Sequence, residues 1–319
     1  MRSRLTDLSN GISMWAKSLP RHQESSMGRA PALRQKILVA DDDRTTRVAI
    51  SSMLKNAGYA VTAVGDGAEA LRKIQKTNFA LAFLDIWMPE LSGLEVLARV
   101  RASESHPRVI IMTSDGTPEN VLHAIREQAY EYVSKPFPPK EAVELAERAL
   151  KQHGSALIEV ISAKPHWVEL LIPCTREAAE RIQSFLLKLE ADLPDRVRNR
   201  IGLAFRELLL NAVEWGGQLD PNRKVRIAYV RSSRMLLYRV ADPGTGFSFK
   251  DLTHAAVGQP ADDPMAHMTV RDQLGIRPGG FGIAMIRSMA DELIYNEAQN
   301  EVMFIKYLTS ATELETTEK

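Results

Sequence analysis

The stretch ILVADDD, residues 37–43, decides how the first half of the chain reads. A short, unbroken apolar run suits a strand buried on both faces, as in a parallel sheet, and here it runs straight into three carboxylates. Outward from it, similar strand candidates recur at Ala60–Val64, Ala80–Leu84, Val109–Thr113 and Glu131–Val133. Helical periodicity fills the intervals: Arg44–Ala57, Ala68–Lys76, Gly93–Arg101, Pro118–Glu127 and Pro139–Gln152. Five βα units in about 120 residues predict an α/β domain, a doubly wound five-stranded parallel sheet with helices on both faces.

The bulk composition narrows the field. At 319 residues, 45% hydrophobic, 25% charged and a formal net charge of +1, the chain suits two ordinary globular domains. Near-neutral charge gives no global reason to expect nucleic acid or a membrane surface as partner. The single cysteine, Cys174, excludes an internal disulfide and any multi-thiolate metal site, so a cytoplasmic location is expected. No stretch approaches the ~20 apolar residues that span a bilayer. Residues 1–34 carry Arg2, Arg4, Lys17, Arg21, Arg29 and Arg34 against Asp7 and Glu24, without the apolar core of a signal peptide. They read as a disordered basic tail, with Met27 as an alternative start to Met1.

Gly154–Ser155 marks a boundary, after which the pattern changes. Leu157–Ser162 and His166–Ile172 read as strands of a hairpin turning at Ala163–Pro165. Helices follow at Arg176–Glu190 and Pro194–Trp215, then strands at Lys224–Val230 and Met235–Ala241. A Gly-, Asp- and Pro-containing stretch, Gly246–Gly280, leads to a helix at Gly282–Glu292 and a strand at Val302–Leu308. The second half is therefore α+β, helices against a mixed or antiparallel sheet. The expected division is residues 35–152, residues 153–310, and a polar C-terminal tail at 311–319.

The strand ends of the first half carry chemistry. Asp41, Asp42 and Asp43 close the first strand, Asp85 the third, Thr113 and Ser114 the fourth, and Lys135 follows the fifth. In a parallel α/β sheet these ends share one edge, where ligands bind at a switch in strand order. Clustered carboxylates repel unless a cation joins them, and oxygen ligands with open positions suit Mg2+. A hydroxyl and an ammonium beside them fit phosphoryl transfer to a carboxylate. Taken singly, strand-end aspartates are commonly turn or cap residues and a lysine is commonly surface. Taken together and in order, over about Lys36–Gln152, the sequence closely resembles the flavodoxin-like, CheY-like receiver domain of response regulators. The resemblance implies that Asp85, in DIWMP, is the phosphoacceptor, that Lys135, in KPF, contacts the phosphoryl group, and that Thr113 and Tyr132 are switch residues. It also implies Mg2+ on Asp42, Asp85 and the Trp87 backbone carbonyl, with Asp41 assisting.

A second constellation lies downstream. Glu207 and Asn211 stand one helical turn apart on one face, a spacing that is common on solvated helices and weak alone. Asp242, Gly244 and Gly246 follow a strand, and GGFG (279–282) opens a helix whose free N–H groups suit phosphate. In this order the motifs, over about Leu157–Leu308, resemble the GHKL ATPase superfamily, an α/β sandwich. The resemblance implies ATP bound through Asn211, Asp242, Gly244, Gly246, Gly280 and Gly282, a lid over Gly246–Gly280, Mg2+ on Asn211, and Glu207 orienting or deprotonating the acceptor.

No long helical pattern surrounds His153 or His166, so a sensor histidine kinase with its own phosphoacceptor histidine fits poorly. ELLLNAVEWG resembles the anti-sigma-factor serine/threonine kinase branch, although Trp215 stands where that branch commonly has histidine. Glu214 reads as a helix-surface carboxylate. The implied partners are a cognate sensor histidine kinase upstream and an anti-anti-sigma (STAS) protein or a sigma factor downstream. Two functions follow: a phosphorylation-controlled kinase of a STAS protein, or a non-catalytic nucleotide-dependent switch that sequesters a STAS protein or a sigma factor. No helix-turn-helix pattern supports direct DNA binding. A homodimer is compatible with either domain and readable from neither.

Overall fold

The computed structural model describes residues 34–103, 106–151, 158–247 and 282–308. The basic N-terminal segment, the Gly154–Ser155 boundary, the expected lid beyond Phe247 with Gly280, and the polar C-terminus lie outside the described residues. In the first module β1 (Lys36–Ala40), β2 (Ala60–Val64), β3 (Leu81–Asp85), β4 (Arg108–Thr113) and β5 (Glu131–Ser134) alternate with helices. These are α1 (Arg44–Asn56), α2 (Gly67–Lys76), α3 (Gly93–Arg101), α4 (Pro118–Arg126) and α5 (Pro139–Lys151). The strands form one sheet in the order β2-β1-β3-β4-β5, every neighbouring pair parallel.

Alternation within the buried runs divides the core. Ile37, Val39, Phe83, Ile110 and Met112 meet α1 and α5, while Leu38, Ala82, Leu84 and Ile111 meet α2, α3 and α4. Local signals start the helices where the sheet needs them. Asp43 caps α1 by accepting from the amides of Thr45 and Thr46. Ser92 and Glu95 form a capping box at α3, and Thr117 with Pro118 opens α4.

The second module consists of β6 (Glu159–Lys164), β7 (Trp167–Pro173), α6 (Arg176–Lys188), α7 (Asp195–Asn211), β8 (Lys224–Arg231), β9 (Met235–Ala241), α8 (Gly282–Met289), β10 (Glu292–Tyr295) and β11 (Glu301–Tyr307). Its sheet runs β10-β11-β9-β8-β7-β6 and is antiparallel throughout. One face is apolar: Leu236, Tyr238 and Val240 alternate inward on β9, and Phe205 of α7 stacks on Tyr238 with ring centroids 4.2 Å apart. The opposite parity carries cross-strand ion pairs, Glu159–Lys224, Glu169–Arg226 and Arg239–Glu301, as a sheet with one wet face requires.

Several boundaries moved from where the sequence put them. The helix expected through Trp215 stops being α-helical at Asn211, and Ala212–Gly216 forms a π-helical turn. The helix expected through Glu292 ends at Met289, and Glu292–Tyr295 is a strand. Its residues are β-prone, and the Asp291 carboxylate accepts from Lys306 and from the Tyr307 amide, tying the chain to β11. The first hairpin turns at Pro165–His166 rather than Ala163–Pro165, because β6 pairs through Lys164. His166 sits in that turn.

One apolar cluster continues from the α4 side of the parallel sheet into the core of the antiparallel one. Polar contacts fasten the seam: Arg126 donates to the Ala163 carbonyl, and Gln128 Nε2 donates to the Ile158 carbonyl at 2.7 Å.

A buried carboxyl gives the fold a pH signature. Glu190, in the turn after α6, is fully buried; its Oε1 accepts from the Tyr238 hydroxyl at 2.5 Å, while Oε2 has no hydrogen-bond partner. Burial pushes this carboxyl up to about 7 from 4.5, against the opposing effect of the Tyr238 hydrogen bond. The folded chain therefore holds this proton more tightly than the unfolded chain. Stability from Glu190 is present in acid and is lost as pH rises through about 7. Glu190→Gln keeps the acceptor without the charge. Chemical denaturation at pH 5 and pH 8 should show the variant gaining on wild type at the higher pH by up to about 3 kcal/mol.

Candidate functional site

Strand order reverses between β1 and β3, and the acidic residues gather at that reversal. Asp41 and Asp85 are buried at the ends of their strands and Asp42 is exposed. Ligand oxygens of the three lie within 4.8 Å of one another. Lys135 Nζ bridges them, 2.8 Å from Asp41 Oδ2 and 2.8 Å from Asp85 Oδ2. Burial raises the Asp85 and Asp41 carboxyls above their ordinary range, with the Lys135 contacts opposing it. Burial alone would lower Lys135, but the two carboxylates outweigh it and raise the ammonium.

Three carboxylates against one ammonium leave two negative charges, which a divalent cation matches. Asp85 Oδ1 is buried and has no hydrogen-bond partner, an acceptor directed at such an ion. The residues present therefore fit Mg2+. Asp43 is turned away as the α1 cap.

The remaining residues expected at this edge are close by. Thr113 is buried and its Oγ1 accepts from the Asp115 amide at 3.0 Å. The Tyr132 hydroxyl donates to the Asp115 carbonyl at 3.0 Å, with its ring buried. The switch candidates thus hold the same residue, Asp115. Trp87, two residues after Asp85, exposes 55% of its surface.

The second site forms where α7, β9 and α8 converge. Glu207 and Asn211 project from adjacent turns of α7 toward the start of α8. A β-carbon at Gly282 would stand 3.0 Å from Glu207 Oε2 and 3.9 Å from Asn211 Nδ2. Asp242, at the end of β9, accepts from the Gly244 amide at 2.7 Å, and burial raises its carboxyl. Gly246 has φ +86°, and a β-carbon there would collide with the Ala298 carbonyl oxygen at 1.6 Å, so only glycine passes. Gly280 lies outside the described residues.

The π-helical turn gains a purpose here. Gly216 ends it against Asp242, where a β-carbon would stand 2.2 Å from Asp242 Cγ. The extra residue in the turn delivers the glycine to the carboxylate. Gly216 was visible in the sequence only as part of EWGG. Arg223, donating to the Pro243 carbonyl at 2.5 Å, and Asn300, whose Nδ2 donates to the Gly244 carbonyl at 2.9 Å, hold the loop without any sequence signal. Trp215 is exposed. Glu214 is not the plain surface carboxylate expected: its side chain is 10% exposed and its Oε1 accepts from Arg176 Nε at 2.8 Å.

The response regulator receiver domain family matches residues 37–147, and the histidine kinase-like ATPase domain family matches residues 172–306. The DNA-binding response regulator MtrA of Mycolicibacterium smegmatis is 31% identical over 185 residues, which are 58% of this chain and 79% of that protein. This chain belongs to the response-regulator family. Its receiver is joined to a histidine kinase-like ATPase domain. The transcriptional regulatory protein YkoG of Bacillus subtilis is 36% identical over 120 residues, 37% of this response regulator and 52% of YkoG. Among solved structures, the chemotaxis response regulator CheY4 of Vibrio cholerae is similar, at 31% identity and TM-score 0.35, over 37% of this chain and 99% of CheY4. Among the described residues no helix is long and apolar enough to cross a membrane.

Two outcomes test these sites separately. Asp42→Asn removes one carboxylate from the receiver edge and should weaken Mg2+ binding, read by calorimetry, by about tenfold or more. Gly216→Ala drives a methyl into Asp242, and should weaken binding of a non-hydrolysable ATP analogue by about tenfold while leaving the receiver's Mg2+ affinity unchanged.

Proposed function

We propose that this response regulator is phosphorylated on Asp85 by a cognate sensor histidine kinase in the cytoplasm and thereby controls its own ATP-binding domain, a serine/threonine kinase of an anti-anti-sigma (STAS) type partner. At the receiver an Asp85 carboxylate oxygen attacks the phosphoryl group of the kinase's phosphohistidine. The P–N bond breaks, a P–O bond forms, and Lys135 neutralises phosphoryl oxygens. Asp42, Asp85 and the Trp87 carbonyl, with Asp41 assisting, would hold Mg2+, which when bound would supply the remaining positive charge.

At the ATP site Asp242 receives the adenine amino group, and the backbone at Gly244, Gly246, Gly280 and Gly282 lines the triphosphate. Asn211 would hold the Mg2+ that accompanies ATP. The partner's serine or threonine hydroxyl attacks the γ-phosphorus, Glu207 takes its proton, and ADP departs. The observation that supports the catalytic reading is the juxtaposition of Glu207 and Asn211 with the first residue of α8, which puts a carboxylate able to act as base beside the proposed Mg2+ ligand. Control of output through a STAS protein or a sigma factor places no demand on DNA contact by this chain.

Incubation with ATP, Mg2+ and candidate STAS proteins should label the partner. Glu207→Ala should reduce labelling at least about a hundredfold without abolishing ATP binding, whereas Asp242→Asn should remove both. Tight ATP binding without transfer to any STAS protein overturns the kinase reading in favour of sequestration of the partner.

A further inference from the structure

Helix α6 touches both sites' supports, and its buried arginine faces the wrong way for a simple core residue. Arg181 is 8% exposed, yet its Nη2 leaves its own module to donate to the carbonyls of Gln128, at 3.3 Å, and Ala129, at 2.7 Å. Those carbonyls lie just past the end of α4, where Gln128 takes a left-handed φ of 59°. The guanidinium also lies over the Tyr130 ring, 5.8 Å from its centroid, and its Nε has no hydrogen-bond partner. One turn further along α6, Ser184 donates to Glu131 Oε1 at 2.7 Å, which also accepts from the Tyr132 amide at 3.0 Å. Glu131 is buried as well.

The other end of the same helix reaches the ATP site. Arg176 pairs with Glu214 in the π-helical turn, between Asn211 and the Gly216 that seats Asp242. Gln183 Nε2 donates to the Gly202 carbonyl on α7 at 3.2 Å, and Leu187 packs so closely on Gly202 that a β-carbon there would lie 2.5 Å away. α7 carries Glu207 and Asn211. A single rigid element therefore spans from the strand bearing Tyr132 to the helix bearing Glu207. Between α6 and the receiver runs a cleft lined in part by Glu141, Arg148, Glu177 and Lys188, so the contact is open along one side rather than sealed.

We infer that α6 is the transmission element between the two sites, with Arg181 its anchor on the receiver and Arg176 its anchor on the ATP site. A buried guanidinium whose Nη2 is bound to backbone carbonyls holds one geometry of the α4–β5 segment, and any receiver state that moves those carbonyls must also move α6 or break those bonds. Arg181 and Arg176 are positioning residues; neither touches a reacting atom. The inference rests on the ATP-binding reading above for one of its two measurements.

The test uses the full chain with Mg2+ and beryllofluoride, a phosphoryl mimic, titrated with and without saturating ATP. In wild type, ATP should change the beryllofluoride dissociation constant by about fivefold or more, and by linkage beryllofluoride should change ATP affinity equally. In Arg181→Gln, and in Arg176→Gln where only a half-exposed pair is lost, the change should fall below about twofold with both ligands still bound. A merely structural arginine would alter stability and leave that ratio intact. Retention of the wild-type ratio in both variants, or a wild-type ratio of one, overturns the inference. Absence of ATP binding in every chain would instead sink the ATP reading. The nucleotide-free titration then decides the coupling: a shift of about threefold or more in beryllofluoride affinity in Arg181→Gln or Ser184→Ala upholds it, and no shift in either overturns it.

Discussion

Two carboxylates buried side by side at the end of a sheet are the costliest arrangement in this molecule, and the receiver is organised around making it tolerable. Asp41 and Asp85 arrive there because β1 and β3 are neighbours across the switch in strand order, and both strands are too apolar to end anywhere else. Lys135 answers part of the charge at 2.8 Å from each, reaching in from the loop after β5. What it leaves over is uncompensated negative charge, which a divalent cation would match. The five strands, their order and the α/β connections matter to function because they bring these three side chains to one point.

The ATP-binding half solves a different problem, that of letting backbone approach backbone. Gly216 and Gly246 sit where any side chain would strike Asp242 or the Ala298 carbonyl, and a β-carbon at Gly282 would crowd Glu207 Oε2 at 3.0 Å. The π-helical turn is part of the same solution, since an ordinary helical turn would end with another residue against the carboxylate. Local irregularity thus marks the nucleotide edge, while the sheet behind it pairs in unbroken register from β10 to β7 and shifts register between Val160 and Ser162 on β6.

This division explains what could be read from sequence. The receiver was legible almost strand by strand, because ILVADDD, LAFLD and the Lys135 position combine a fold period with chemistry that fold requires. Glu207, Asn211 and Gly282 were legible for the same reason and lie side by side, while Asp242 stands at the end of β9 against Gly216. The π-helical turn and the strand Glu292–Tyr295 were not, since both depend on tertiary partners: Asp242 for the one, β11 for the other. Arg181 was invisible. On an amphipathic helix a lone arginine reads as solvated, and only the neighbouring module turns it into a buried group. Glu214 was misread on the same ground, its partner lying 38 residues away.

The seam between the halves also protects the chain from itself. β6 is an outer strand of the antiparallel sheet, and it exposes Ile161. An open strand edge is a template for pairing with another chain. Here α4 of the receiver lies along β6, and Arg126 occupies the Ala163 carbonyl. The receiver is therefore the cover of that edge. Separation of the two halves would uncover a strand ready to extend into a neighbouring molecule's sheet, so the residues of α4 that meet β6 guard the chain against aggregation as well as packing its core.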